Sequence, residues 1–137
     1  MKLEVTDKIK QSEQDEIYQG LLEYNLSLLE NKSPQDLGIY MRNEESHIVA
    51  GLIGSTHGVW FTIKYLFVSE NLRGQGIGSH ILAYAEKVAK ERGCKYIFVD
   101  TFDFQAPDFY KRYGYTNVFT LENYPVSGKR YYFIKNL

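Results

Sequence analysis

The sequence predicts a single α+β domain built on a mixed, mostly antiparallel β-sheet. A chain of 137 residues with 44% hydrophobic and 24% charged residues has the size and composition of one globular, soluble domain, 1–137. Strand-like segments at 38–43 and 47–54 are joined by a short polar turn, which favours an antiparallel hairpin. The stretch 60–101 instead reads strand, glycine-rich turn, helix, strand, and this order predicts one parallel strand pair.

The N-terminal part predicts a short strand and then a helix. Leu3 and Val5 alternate with charged residues, as they would in a first strand. Ser12, with Asp15 three residues later, resembles a capping box at a helix start. Apolar residues then recur at helical spacing up to about Leu29. The hairpin strands follow, and residues 55–58 form the next predicted turn.

The middle of the chain contains the most regular pattern. Trp60–Val68 is rich in aromatic and β-branched residues, which predicts a central strand covered on both faces. A glycine-rich loop at 73–79 leads into a helix that ends at Gly93. Its apolar face is predicted to contain Ile77, Ile81, Leu82, Ala85, Val88 and Ala89.

The C-terminal part predicts one strand, a short helix and two further strands. Residues 95–101 form the strand that completes the parallel pair. Pro107 suits the first turn of a helix over 106–113, and Gly114 ends it. Residues 115–120 and 130–134 are the last two strands, and the loop 121–129 connects them.

Composition argues against several classes of protein. Sixteen basic and seventeen acidic residues give a net charge of -1, which offers no electrostatic basis for nucleic-acid binding. The one cysteine, Cys94, rules out an internal disulfide and begins an apolar strand, where a buried thiol is expected. His47, His57 and His80 share no ligand spacing, so no metal site is expected. The start has no signal-peptide pattern and no run is long enough to span a membrane, which predicts a cytoplasmic protein.

The glycine-rich loop predicts a phosphate-binding site. Three alternating glycines after Arg73 allow the backbone to approach a ligand, and the first N–H groups of a helix are unpaired and electropositive. A tight turn that favours glycine is the structural alternative. A P-loop is excluded because Ile77 and Gly78 replace its Lys-Ser/Thr pair. A dinucleotide fingerprint, Gly74-x-Gly76-x-x-Ser79 with Asp100 about 20 residues on, stays open, although a two-halved fold would strain this length.

Two motifs resemble the GNAT N-acyltransferase superfamily. Arg73-x-x-Gly76-x-Gly78 resembles its coenzyme A loop, Gln/Arg-x-x-Gly-x-Gly/Ala after a central strand. Residues 106–115, Ala-Pro-Asp-Phe-Tyr-Lys-Arg-Tyr-Gly-Tyr, resemble its later Asn-x-x-Ala-x-x-Phe/Leu-Tyr-x-x-x-Gly-Phe/Tyr segment. The element order agrees over nearly the whole chain, which looks like a small bacterial GNAT protein. The resemblance implies the GNAT fold, in which helices flank the sheet and the parallel pair splays apart.

The resemblance also implies acetyl-CoA as cosubstrate, with no metal. The pyrophosphate is expected on the loop amides and the pantetheine arm along the end of the Trp60 strand. The family asparagine that helps hold this arm corresponds to Asp103, which cannot donate as an amide does, so Gln105 is a candidate substitute. The implied cofactor residues are Phe67, Val68, Arg73, Gly74, Gln75, Gly76, Ile77, Gly78, Ser79, Asp103 and Gln105.

Tyr110 matches the family position that protonates the departing CoA thiolate, and aromatic packing beside Phe109 is its structural alternative. No carboxylate occupies Trp60–Val68, where some family members have a glutamate as general base. The base is therefore unassigned, with water leading to Glu23, His57 or Asp100 as a conjecture.

The acceptor implied by the resemblance is a primary amine. Tyr24, Trp60 and Tyr124 would line an aromatic entrance, and Glu23 or Glu122 would attract an ammonium group. A small cationic amine, a peptide N-terminus and a lysine side chain all fit. A CoA-binding sensor without turnover and a dinucleotide-binding module are the alternatives, and the choice between monomer and homodimer is open.

Overall fold

The computed structural model describes residues 1–26 and 34–137. They belong to two compact units, an N-terminal unit described over 1–26 and a larger unit described over 34–137. No helix in these two described ranges has both the length and the apolar character needed to cross a bilayer.

The N-terminal unit contains one helix, α1, Gln11–Leu26. The predicted first strand is wrong: residues 1–10 form no strand, and Leu3 and Val5 are 98% and 99% exposed. Two small apolar side chains bury too little area to offset the entropy lost on ordering an isolated segment. The capping box is also wrong, because the helix begins before Ser12, and the Gln11 amide donates to Asp15 Oδ1 at 2.8 Å. The predicted helix end near Leu29 lies outside the described residues.

The larger unit is a six-stranded sheet with two α-helices and a short 3-10 helix, Glu70–Leu72. The strands are β1 Gln35–Arg42, β2 Ile48–His57, β3 Trp60–Val68, β4 Tyr96–Phe102, β5 Thr116–Glu122 and β6 Lys129–Asn136. The helices are α2 Ile77–Glu91 and α3 Pro107–Arg112.

The sheet order is β1-β2-β3-β4-β6-β5, and every neighbouring pair is antiparallel except β3 and β4. The predicted mixed sheet with one parallel pair is therefore confirmed. The chain places β6 between β4 and β5, an order that strand patterns alone do not specify. The parallel sheet of a dinucleotide-binding fold is absent from the described residues. This excludes the interpretation of the chain as a dinucleotide-binding module.

The first hairpin turns at Asn43, whose side-chain oxygen accepts hydrogen bonds from the N–H groups of Glu45 and His47, both at 3.0 Å. The second turn is shorter than predicted. β2 continues to His57 and reverses at Gly58, which has a positive φ of 60°. Glycine adopts this backbone conformation without the clash that a Cβ introduces.

α2 and α3 pack on the same face of the sheet. The predicted apolar face of α2 is confirmed: Ile81, Leu82, Ala85 and Ala89 are buried, and Ile77 and Val88 pack against them. Beneath the two helices, the core is completed by side chains from the strands and the segments beside them, chiefly Leu37, Leu52, Phe61, Ile63, Ile97, Val99, Tyr115 and Phe133.

The expectation that β3 is covered on both faces is wrong. Phe61 and Ile63 are 0% and 2% exposed, whereas Trp60 and Tyr65 are 38% and 63% exposed. Trp60 instead packs against the Tyr96 ring, its neighbour on the next strand, at 4.9 Å between centroids. Aromatic rings that pair across strands stabilise a half-exposed face, so an aromatic-rich strand does not imply burial on both sides.

A half-buried polar cluster links α2 to the far strands. Glu86 accepts hydrogen bonds from the Tyr115 hydroxyl at 2.7 Å and from Lys135 Nζ at 3.0 Å to each carboxylate oxygen. Burial and the bond to Glu86 raise the pKa of Tyr115 far above its usual range. Both oxygens of this carboxylate are thus engaged within the fold.

Gly54 lies where β2 and β3 shift register, and its substitution tests this junction. A Cβ there would overlap the Thr62 carbonyl oxygen and approach Phe61 Cε1 at 2.6 Å. We expect Gly54→Ala to lower the free energy of unfolding by about 1–3 kcal/mol, as overpacking does. Gly20→Ala in α1 is the control, because no atom lies within 4 Å of its added Cβ. Urea unfolding curves measure both, and a Gly54→Ala protein as stable as the parent would contradict the close packing described at this junction.

Candidate active site

The site is a groove that opens where β3 and β4 part. The two strands pair over only four positions, from Trp60 with Tyr96 to Ile63 with Val99. Lys64 is an extra residue in the pairing of β3 with β2, because Ile63 and Tyr65 oppose the adjacent Gly54 and Ile53. Such a β-bulge bends its strand and increases the twist. β3 then continues to Val68 without β4 as a partner, which leaves a wedge for an extended ligand.

The groove has a volume of about 730 Å³ and three walls. They are the end of β3, the loop that enters α2, and the segment through α3. These walls contain Leu66, Phe67, Val68, Leu72, Arg73, Gly74, Gly76, Ile77, Gly78, Ser79, Phe104, Gln105, Ala106, Phe109, Tyr110, Arg112 and Tyr113.

The glycine loop has the backbone conformation that an anion site requires. Gly74 and Gly76 both have φ of 78°, and Gly76 caps the N-terminus of α2. Lack of space for a side chain does not explain the two glycines. An added Cβ would meet nothing within 4 Å at Gly74 and only Ser79 Oγ, at 3.8 Å, at Gly76. The Ser79 hydroxyl donates back to the Gly76 carbonyl at 2.9 Å. The first N–H groups of α2 therefore face the groove with the positive end of the helix dipole.

Two arginines and no acidic residue line the groove among the described residues. Arg73 Nε donates to the Val68 carbonyl at 3.0 Å, which braces the side chain against the end of β3. Arg112 comes from α3, and sequence reasoning missed it. Its signal was present, because Arg112 lies one helical turn after Phe109 and both line the groove. The balance of charge favours an anionic ligand.

Tyr110 lies at the inner part of this groove and is only 5% exposed. Its ring contacts those of Phe109, Tyr115 and Phe133, at centroid distances of 5.3, 5.4 and 6.0 Å. Burial, and secondarily the charge of Asp100, raises the pKa of Tyr110 to about 12. The hydroxyl makes no hydrogen bond to the described chain, where no polar side-chain atom is sealed from solvent without a partner. It is therefore a protonated donor with access to the groove.

The two candidate cofactor residues that follow β4, Asp103 and Gln105, lie in different places. Gln105 lines the groove, and its Oε1 accepts hydrogen bonds from the Phe102 N–H at 2.8 Å and from Thr101 Oγ1 at 3.3 Å. Asp103 is not part of the groove wall. Its N–H donates to the Lys129 carbonyl at 3.0 Å, and its carboxylate lies 3.4 Å from where a Cβ on Gly128 would stand. Gln75 also turns away, with Nε2 at 3.5 Å from the Asn71 carbonyl.

The predicted acceptor residues do not form one cluster. Trp60 lies at the paired end of β3, beside His57 on β2, and thus at the end opposite the splay. Tyr124 lies in the loop between β5 and β6, where its hydroxyl accepts from Arg130 Nη1 at 3.2 Å. Tyr24 and Glu23 belong to α1 in the N-terminal unit. Tyr24 is 66% exposed.

Cys94 plays no part in the groove. The thiol is buried, and burial raises its pKa while Arg92 lowers it by less. A thiol held in its protonated form is a packing group, as expected. Within the described residues, no group of three or more His, Cys, Asp and Glu side chains could hold a metal ion.

Comparison with known proteins places this geometry in a family. The family described as "Acetyltransferase (GNAT) family" matches residues 4–115. The chain is 40% identical to acetyltransferase Atu2258 of Agrobacterium fabrum over 101 residues, 74% of each chain. It is 36% identical to the blasticidin-S acetyltransferase of Streptomyces morookaense over 99 residues, covering 72% of this chain and 73% of that protein.

A solved structure agrees with the fold. The crystal structure of an acetyltransferase from Bacillus cereus superposes with a TM-score of 0.84 at 32% identity and covers 98% of both chains. The chain belongs to the GNAT acetyltransferase family and is an acetyl-CoA-dependent acetyltransferase.

Proposed function

We propose that this chain, as one domain, transfers the acetyl group of acetyl-CoA to a primary amine that attacks the thioester directly. One observation supports this most strongly. A groove lined by two arginines and no described acidic residue runs from the glycine loop to a buried tyrosine at the strand splay. It pairs an anion site at one end with a hydrogen-bond donor at the other.

The cofactor would lie along the groove in an extended form. The pyrophosphate binds the amides of 74–79, where the positive φ of Gly74 and Gly76 directs them outward. Arg73 and Arg112 add charge-assisted hydrogen bonds to phosphate oxygens. The pantetheine arm pairs with the backbone near Phe67 and Val68, as an added strand would. Gln105 is the amide that we propose for this arm in place of Asp103, because only Gln105 lines the groove.

The acceptor must reach the thioester as a free amine. A lysine-like amine has a pKa near ~10.4, so removal of its proton at pH 7 costs about 4 to 5 kcal/mol. A backbone N–H at the splay would polarise the thioester carbonyl, as an oxyanion-hole donor does. Attack then makes the nitrogen strongly acidic, and it loses its proton as the C–S bond breaks.

Tyr110 would stabilise the departing thiolate by donating a hydrogen bond. With a pKa of about 12, the phenol is ~3.5 units less acidic than a thiol of pKa about 8.5. Complete transfer of its proton would therefore cost roughly 5 kcal/mol, at ~1.36 kcal/mol per unit. A hydrogen bond in the transition state avoids that cost, and the proton that the thiolate finally gains comes from the attacking nitrogen.

The acceptor class is a small amine, a peptide N-terminus or a lysine side chain. The relative named for blasticidin S supports a small molecule. Of the predicted acceptor residues, we propose Tyr124. It accepts a hydrogen bond from Arg130, which in turn donates to Asp100 beside the splay. Tyr24 stays a prediction, whereas Trp60 is not proposed for the entrance, because it lies at the end of β3 opposite the splay.

Release of free thiol from acetyl-CoA tests the proposal. The purified chain is assayed with a panel of blasticidin S, small diamines and lysine-containing peptides. We expect at least one amine to raise thiol release well above hydrolysis, with an acetylated product by mass spectrometry. A protein that binds acetyl-CoA and acetylates none of the panel would contradict transfer to these classes of amine.

Replacement of Gly76 tests the cofactor site. Gly76→Val places a β-branched residue at φ of 78° and puts methyl groups where the pyrophosphate should approach. We expect acetyl-CoA affinity to fall at least ~100-fold, about 2.7 kcal/mol, by calorimetry. Gly93→Val is the matched control, because Gly93 has φ of 90°, no atom within 4 Å of an added Cβ and no place in the groove. Equal acetyl-CoA affinity in both folded variants would remove the glycine loop from the site.

Replacement of Tyr110 tests its chemical role. Tyr110→Phe keeps the ring packing and removes the hydroxyl. We expect kcat to fall about 10²- to 10³-fold, the range for loss of one hydrogen-bond donor to a developing anion, while the acetyl-CoA KM changes little, because the lost bond belongs to the transition state. Since the folded pKa is about 12, the phenol stays protonated through neutral and mildly alkaline pH. Wild-type kcat should therefore show no alkaline limb from Tyr110 below pH ~11. Parent-rate turnover of the variant where chemistry limits the rate would assign Tyr110 to packing alone.

A further inference from the structure

Asp100 stands at the mouth of the splay, on the face opposite α2 and α3. It is the first residue of β4 beyond Val99, the last position that pairs with β3. Side chains alternate along a strand, and the neighbours Val99 and Thr101 are buried beneath the helices at 2% and 4% exposure. The Asp100 side chain is 29% exposed and therefore emerges on the other face. Asp100 does not line the groove on the helix side, but it lies directly beyond the point where the pairing of β3 with β4 ends.

Arg130 fixes this carboxylate through one oxygen only. Its Nε and Nη2 lie 2.7 and 2.6 Å from Oδ2. The guanidinium is held in turn by the Tyr124 hydroxyl and by three rings, with its carbon 5.3 to 5.8 Å from the centroids of Phe102, Tyr124 and Tyr132. Asp100 Oδ1 has no hydrogen-bond partner in the described chain. One oxygen is thus positioned, and the other is available.

Glu86 shows what a purely structural carboxylate looks like in this fold. Lys135 contacts both of its oxygens and Tyr115 donates to one of them, so neither is left open. Structural arginine–carboxylate pairs also commonly use both oxygens, in two parallel hydrogen bonds. The arrangement at Asp100 differs from both patterns.

Two observations connect Asp100 to the reactive end of the groove. Phe102, which lies under Arg130, stacks on Phe104 at 5.2 Å with 5° between the ring planes, and Phe104 lines the groove. The charge of Asp100 also contributes to the raised pKa of Tyr110 on the helix-covered face. Asp100 and Tyr110 therefore approach the same gap in the sheet from opposite faces.

We propose that Asp100 Oδ1 receives the acceptor amine at the splay and takes its proton. The inference rests on the proposed acetyl transfer. The neutral amine donates an N–H to Oδ1, which directs its lone pair toward the thioester carbonyl. As the N–C bond forms, the nitrogen becomes acidic and its proton passes to Oδ1. The C–S bond then breaks, its electron pair leaves on sulfur beside Tyr110, and the carboxylic acid returns the proton to the thiolate through solvent.

Asp100→Asn tests the proposal, because it keeps an oxygen for Arg130 and removes the basic carboxylate. We expect kcat/KM for the best amine to fall about 10²- to 10⁴-fold, the range for a positioned general base. The acetyl-CoA Kd should stay unchanged by calorimetry. Glu86→Gln is the matched control: it should lower Tm and leave kcat/KM of the folded protein near the parent value.

A second readout separates proton removal from structural support. Across nucleophiles of decreasing basicity, down to hydroxylamine, the deficit of Asp100→Asn should shrink, because a more acidic nitrogen gives its proton to water unaided. A merely structural change slows every nucleophile by the same factor. Asp100→Glu retains the charge and displaces the carboxylate by one methylene, so it should also lose activity while folded. Asp100→Glu replaces Asp100→Asn in this test if the asparagine variant does not fold.

The outcomes are distinct. A wild-type protein that acetylates no amine contradicts the proposed function. An active wild type with Asp100→Asn at the parent rate, or with one uniform deficit for all nucleophiles, overturns the role of Asp100 and leaves the proposed function standing.

Discussion

The rest of the site depends on the early end of the pairing between β3 and β4. Their register holds for four residue pairs, and the bulge at Lys64 then bends β3 away. Backbone N–H and C=O groups that would pair with the neighbouring strand in a regular sheet become available to a ligand. A strand from another sheet cannot easily pair with these groups, because the gap lies inside the sheet, between two strands that stay paired at one end. A binding site is thus created by the local failure of a regular structure.

The gap also brings together two faces of the sheet that are otherwise separated by a layer of backbone. On one face, the glycine loop, α2 and α3 supply amide groups, two arginines and Tyr110. On the other, β4 and β6 supply Asp100 and Arg130 among aromatic rings. A thioester in the gap would be reached from both sides at once. Leaving-group stabilisation and acceptor binding can therefore use different elements, which need no direct contact with each other.

The motifs that sequence analysis found are local, and this is why they were readable. Gly74 and Gly76 have positive φ angles, which only glycine adopts readily. Gly93 and Gly114 have positive φ angles as well, and each lies where a helix ends. Helical spacing in α2 follows from one buried stripe. The strand pattern was less decisive: alternation with few apolar residues suggested a first strand that does not form, and an aromatic run suggested two-sided burial of β3 where one face is exposed.

The sequence by itself determined the class of fold, the parallel pair, the glycine loop and the tyrosine segment, because each is encoded by residues within one turn or one strand. Tertiary structure alone decided the rest. It inserted β6 between β4 and β5, which brings Arg130 to Asp100 across 30 positions of chain. It turned Gln105 into the groove and Asp103 toward Gly128, although they are two residues apart. It also set where the pairing of β3 with β4 stops. Contacts between distant segments depend on register and strand order, and no local periodicity records either.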